Sequence, residues 1–155
     1  MGDMWVVLVL MGVAISMILA GVNETFQNQT EIQTQKTIQL TRGNQPYANL
    51  ILEVADTPET LEKGLMFRTH LPPNTGMLFQ FFSEAPRSFW MRNTLISLDM
   101  LFLKEDGRII TIHQNTQTQS DQNYPSTEPA KYGIELPAGT VKNLGIRLGD
   151  RAFGL

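Results

Sequence analysis

Between Gly64 and Asp99 the chain places a tryptophan, arginines and an acid inside otherwise apolar stretches: Gly64-Leu65-Met66-Phe67-Arg68, Gly76-Met77-Leu78-Phe79, Phe89-Trp90-Met91-Arg92-Asn93-Thr94 and Leu98-Asp99. A charge buried without a partner costs several kcal/mol, so each of these residues either braces the fold or belongs to a site. Asp99 lies between Leu98 and Met100 in a greasy strand and is the candidate catalytic acid or base of a hydrolase. Two other roles stay open for it: an ion pair with Arg68 or Arg92, or acceptance of main-chain N–H bonds that pin a loop.

Strand alternation puts Trp90, Arg92 and Thr94 on one face and Phe89, Met91 and Asn93 on the other. If Phe89 and Met91 are inside, Trp90 and Arg92 form an outward aromatic and cationic platform suited to a sugar, a carboxylate or a peptide; if Trp90 is inside, it is core. Arg68 could cap helix carbonyls or clamp an anion with its planar fork. Tyr124 and Ser126, in a long polar segment, could close over such a ligand or form an ordinary turn. The candidate ligand-binding set is therefore Arg68, Trp90, Arg92, Asn93, Asp99, Tyr124 and Ser126, with Asn93 also suited to turn chemistry.

Other chemistries have little support. The two histidines, His70 and His113, have no zinc-motif spacing, and without cysteines there are no disulfides, thiol nucleophiles or thiolate metal sites. Ser126, His113 and Asp99 could assemble a triad in principle, because triads are defined by geometry and not by order. Glycine-rich nucleotide loops and the nucleophile-elbow pattern are absent. Met66, Met77, Met91 and Met100 lie in apolar runs and read as core fillers. No metal and no cofactor is expected. From Thr37 onward 11 basic residues face 12 acidic ones, which offers no electrostatic footprint for nucleic acid.

The elements that must hold these residues are mostly strands. Ile38 and Leu40 alternate with polar neighbours, as do Ala48, Leu50, Leu52 and Val54 beyond the turn-forming Gly43-Asn44-Gln45-Pro46, which predicts two paired strands. Thr57-Pro58-Glu59 is a helix start, with Leu61 and Leu65 four apart, and the helix is expected to run to about Met66. Further strands are expected at 76–82, 87–92, 95–103, 108–113 and 130–136, with a hairpin at Glu105-Asp106-Gly107. A turn of helix at Thr140 to Leu144 and a last strand from Ile146 follow.

The N-terminus differs in kind. Met4 to Val22 is uncharged and rich in Val, Leu, Ile and Met, close to the roughly 20 residues that cross a bilayer as a helix. It reads as a signal peptide with cleavage near Ala14-Ile15-Ser16 or Ala20, or as a retained transmembrane helix, since Asp3 and the lack of Lys or Arg depart from a standard signal. Residues 23–36, dominated by Gln, Thr, Asn and Glu, read as a polar linker. The organisation expected is thus 1–22 leader or membrane anchor, 23–36 linker and 37–155 a single β-rich domain.

Over residues 50 to 150 the chain resembles the uncharacterised domain-of-unknown-function family 192. The resemblance rests on Glu62-Lys63-Gly64-Leu65-Met66-Phe67-Arg68, Gly76-Met77-Leu78-Phe79, Phe89-Trp90-Met91-Arg92-Asn93-Thr94, Leu98-Asp99, Tyr124-Pro125-Ser126, Pro129-Ala130, Glu135-Leu136 and Ala138-Gly139. Ser97 stands where a Pro is usual before Leu-Asp, and Pro137 where Asn is common. The resemblance implies a compact, mainly β, barrel-like domain with one or two short helices, often behind an export signal. It supplies no reaction.

The expected function is that of an exported domain, periplasmic or at the cell surface, that binds a small polar ligand, anionic or a saccharide. The alternatives are an extracytoplasmic hydrolase that uses Asp99 and an envelope protein-interaction module.

Overall fold

The computed structural model of the chain describes residues 34–155. The apolar segment 4–22, read as signal peptide or membrane helix, lies outside the described residues, as does most of the 23–36 linker. Among the described residues no helix is long and apolar enough to cross a membrane.

In chain order the elements are β1 (Gln35–Arg42), β2 (Gln45–Ala55), α1 (Pro58–Lys63), β3 (Thr75–Ala85), β4 (Ser88–Phe89), β5 (Leu98–Leu103), β6 (Ile109–His113), β7 (Tyr124–Pro125), β8 (Ala130–Pro137), α2 (Thr140–Leu144) and β9 (Arg151–Phe153). Seven strands form one sheet in the order β6-β5-β8-β3-β2-β1-β9, and β4 pairs with β7 in a small second sheet. The β1–β2 hairpin turns at Gly43 and buries Ile38, Leu40, Leu50 and Leu52 from alternate positions, as the period of two requires. Strand β3 then joins β2 in parallel, so the chain must cross over between them, and α1 lies on that crossover.

Helix α1 begins with a capping box: the Thr57 hydroxyl accepts the Thr60 N–H, the Thr60 hydroxyl accepts the Thr57 N–H, and Pro58 takes the first turn, where no N–H is needed. It ends at Lys63, earlier than its apolar spacing suggests, because Gly64 leaves the helix at a φ of 47°. The expected strand over 87–92 also shortens, to Ser88–Phe89, because the chain turns at Asn93, whose φ is 54°. The last strand starts at Arg151 and not at Ile146, after a turn in which Arg147 N–H donates to the Asp150 carboxylate.

The domain is mainly β with two short helices, but the barrel-like expectation is corrected: the sheet is not closed. Its ends are tied by single contacts, with Ile109 N–H on Asp150 O, Gly149 N–H on Ile109 O and Ala152 N–H on Gly107 O, each at 2.9 Å, and one isolated bridge between Arg108 and Arg151. Asp150 secures this seam by accepting from Arg42 Nε at 2.9 Å, Arg42 Nη2 at 2.8 Å and Tyr47 Oη at 2.9 Å.

Both faces of the sheet centre are covered. One face packs Ile38, Leu40, Leu52, Leu78 and Leu101 with Val141 of α2; the other packs Met77, Phe79, Met91, Leu98 and Met100 beneath the segment after α1. Each such side chain contributes roughly 2 kcal/mol by leaving water. Strand β5 is buried at all six positions, which is why Leu98–Leu103 is nearly continuous in apolar residues and does not alternate. The methionines read as core fillers fall in this second cluster, apart from half-buried Met66.

Candidate functional site

Asp99 is fully buried. Its Oδ1 accepts the Asn115 N–H at 3.0 Å and its Oδ2 accepts the Val141 N–H at 2.8 Å. Val141 stands in the first turn of α2, whose N-cap is a glycine with no side-chain cap, so the β5 carboxylate supplies the acceptor that the helix start lacks. Asp99 is thus placed with main-chain donors on both carboxylate oxygens, the loop-pinning role of the three open to it, while Arg68 and Arg92 pair with other acids.

The remaining candidates are spread over several contacts. Arg68 pairs with Glu53 of β2 through Nη2 and Oε2. Phe67, at a φ of 64°, donates its N–H to Asn93 O at 2.9 Å, which ties the loop after α1 to the loop after β4 and gives Asn93 the role of a turn residue. Tyr124 is buried, and its hydroxyl accepts from Gln117 N–H at 3.0 Å; Ser126 Oγ accepts from Arg87 N–H at 3.0 Å. These bonds anchor the lid candidates into the β4–β7 sheet. The triad is not assembled, because His113 Nε2 contacts Pro125 O at 2.8 Å and Asp99 is held elsewhere. Among the described residues no cluster of three or more His, Asp or Glu side chains could hold a metal ion.

The platform does form. Met91 is buried, Phe89 stacks between Phe79 and Phe102 with centroids 4.7 and 4.8 Å away, and Trp90 is left 38% exposed. The Arg92 guanidinium lies 4.2 Å over the Trp90 ring and donates through Nε to Asp121 at 2.8 Å, which holds the indole from outside. Of the seven candidates, Trp90 lines the cavity beside the Leu61–Met66 segment.

That cavity, about 30 Å³, lies between the Leu61–Met66 segment and the side chains of Phe79, Phe89 and Trp90. A residue without a catalytic reading in the sequence, Glu135 of β8, forms part of its wall. Glu135 is 5% exposed, and desolvation is the one influence on its carboxyl, with no hydrogen bond or neighbouring charge acting on it. Burial with nothing to offset it pushes the acid up to about 8. Gly64 makes the approach possible: a methyl group there would lie 3.2 Å from the Phe79 ring and 3.7 Å from Glu135 Oε2. An outer groove of about 300 Å³, walled by Phe81, Pro86 and Arg87, shares Leu61, Glu62, Phe89 and Trp90 with the inner cavity. The Arg87 guanidinium packs 4.2 Å over Phe81, and its Nε is buried without a partner.

Alternation along β8 places Glu135 opposite Ile134 and Leu136, where a half-buried strand would show it to water. The cover comes from residues more than 40 positions earlier, and no local pattern announces it.

Fold and cleft together define a class of small domain built on an open mixed sheet, with an aromatic cleft over an unpaired acid. The chain belongs to the domain-of-unknown-function family 192, described as an uncharacterized ACR, whose sequence model matches residues 38–153. It is similar to a solved protein from Sinorhizobium meliloti 1021 described as a candidate transcription regulator. The two are 42% identical, the match covers 79% of this chain and 95% of that one, and the TM-score is 0.76. A protein of unknown function from Novosphingobium aromaticivorans DSM 12444 is 30% identical over 81% of this chain and 89% of its own, with a TM-score of 0.73. No curated protein matches the chain.

Proposed function

We propose that this protein is an extracytoplasmic binding domain that takes a small polar ligand into the cleft beneath Trp90. The observation that carries the reading is Glu135, a buried carboxyl with no partner that opens on a cavity walled by three aromatic rings. An unpaired buried acid costs several kcal/mol, and a ligand that donates to it offsets that cost. The compartment follows from the uncharged run 4–22, as signal peptide or membrane anchor. The site moves from the predicted set to Trp90 and Glu135, with Arg92 holding the indole. A ligand rich in N–H or O–H donors fits a wall that holds a carboxyl better than an anion, which that carboxyl repels when it ionises.

The hydrolase alternative transfers from Asp99 to Glu135, whose acidity near neutral pH suits proton transfer. The envelope interaction module would use the same outer groove. The description of the Sinorhizobium meliloti protein would bring nucleic acid into question, and the near balance of charge from Thr37 onward supports a small ligand instead.

The test uses the full-length chain with Trp5→Phe, so that Trp90 is the sole indole reporter. Sugars, amides, amines and carboxylates are screened by emission and by melting temperature. At least one class should shift both readouts and lose its effect in Trp90→Ala. If every class leaves both unchanged, the binding reading falls.

A further inference from the structure

We infer that the inner cavity is a receptor for a primary ammonium group, with the alkyl stem of the ligand lying in the outer groove. This rests on the cleft being the binding site and names the chemistry of what enters it. Glu135 needs a donor, and a compact cation satisfies both its hydrogen-bonding capacity and its charge. The walls agree: Phe79, Phe89 and Trp90 line the cavity, and aromatic rings tolerate a cation better than an anion. Size narrows the class further. A space of about 30 Å³ takes one or two water-sized groups, which suits an –NH3+ head and excludes a quaternary ammonium or a sugar ring. The stem then meets Leu61, Phe81 and Pro86.

Binding of a cation requires the ionised carboxylate, while burial keeps the empty site protonated up to about pH 8. One proton therefore leaves Glu135 for solvent as the ammonium enters. The groups facing Glu135 from other elements are Met77 of β3 and Met100 of β5, both uncharged, with Glu62 and Lys63 of α1 on the cavity wall and Arg87 in the outer groove. Comparison of the parent with Glu135→Gln isolates the share that belongs to Glu135.

The experiment titrates the full-length Trp5→Phe chain with butylammonium chloride, 1-butanol and tetramethylammonium chloride at pH 6, 7 and 8. Trp90 emission and calorimetry in two buffers of different ionisation enthalpy give affinity and proton release. Butylammonium should bind about tenfold more tightly at pH 7 than at pH 6, about fivefold more tightly again at pH 8, and release about one proton at pH 7. 1-Butanol should bind more weakly with no slope, and tetramethylammonium should not bind. Glu135→Gln should lose at least tenfold in butylammonium affinity at pH 8 and lose the slope. The proton count, measured on the unmutated site, stands even if that variant misfolds. Silence toward butylammonium alongside a response to some neutral probe would overturn the ammonium class and leave the cleft standing; silence toward every probe would remove both. Equal butylammonium affinity at pH 6 and 8, or no proton released, would also overturn it.

Discussion

Asp99 and Glu135 sit one register position apart on neighbouring strands: Asp99 lies opposite Leu136, and Met100 lies opposite Glu135. Residues paired across a sheet share a face and successive residues do not, so the two acids point to opposite sides. On one side Asp99 meets the start of α2 and the Asn115 turn, whose main-chain N–H groups saturate it. On the other Glu135 meets methionines, aromatic rings and a cavity. Two buried carboxyl groups on neighbouring strands thus meet opposite surroundings. The one with partners stabilises the fold, and the one without them is the group on which the proposed binding role rests.

The largest expected effect that separates them is a pH dependence. The acid of Glu135 is raised from its ordinary 4.5 to about 8. Between those values the folded chain holds a proton that the unfolded chain has released, so the contribution to stability is fully present below pH 4.5 and is lost as pH rises through 8. The slope is about 1.4 kcal/mol per pH unit. Urea unfolding of the parent and of Glu135→Gln at pH 4.5, 6 and 8 should show a difference that swings toward the variant by about 4 kcal/mol. A difference that stays flat would mean that Glu135 is already ionised or already paired.

Asp99→Ala should come next. It strands two buried main-chain donors and should destabilise the domain by about 4 kcal/mol in urea. A loss below about 1 kcal/mol would put the two acids on the same footing.

Gly64→Ala sharpens the comparison from the side of the cavity. The positive φ and the contact with Phe79 should cost about 1–2 kcal/mol, and the added methyl should cut butylammonium affinity while Trp90 stays in place. Unchanged affinity would place the ligand elsewhere. The smallest effect is expected for Asp121→Asn, which removes an exposed partner of Arg92: stability should move by no more than about 0.5 kcal/mol, while Trp90 emission shifts as its cover loosens. A large loss of stability would make the Trp90–Arg92 platform part of the core.

The strands, the hairpins at Gly43 and Gly107 and the capped start of α1 were legible because each rests on contacts a few residues apart: alternation for Ile38 to Leu52, turn chemistry at glycine, a Thr57–Thr60 cap. The outward Trp90 was legible as one of two faces, and burial of Met91 and Phe89 chose between them. The blocks of the family resemblance contained Glu135 but gave no reason to prefer it to Asp99, since both are single acids among aliphatic neighbours.

Which acid receives main-chain donors was decided by chain segments 16 and 42 positions from Asp99, and which acid borders a cavity by a loop some 70 positions before Glu135. Composition and periodicity determined that a β-rich domain forms and that acids enter its strands. Only tertiary packing assigned hydrogen bonds to one carboxyl and empty space to the other. Desolvation and partner supply depend on what the rest of the chain lays against each face, and that lies beyond the reach of local pattern.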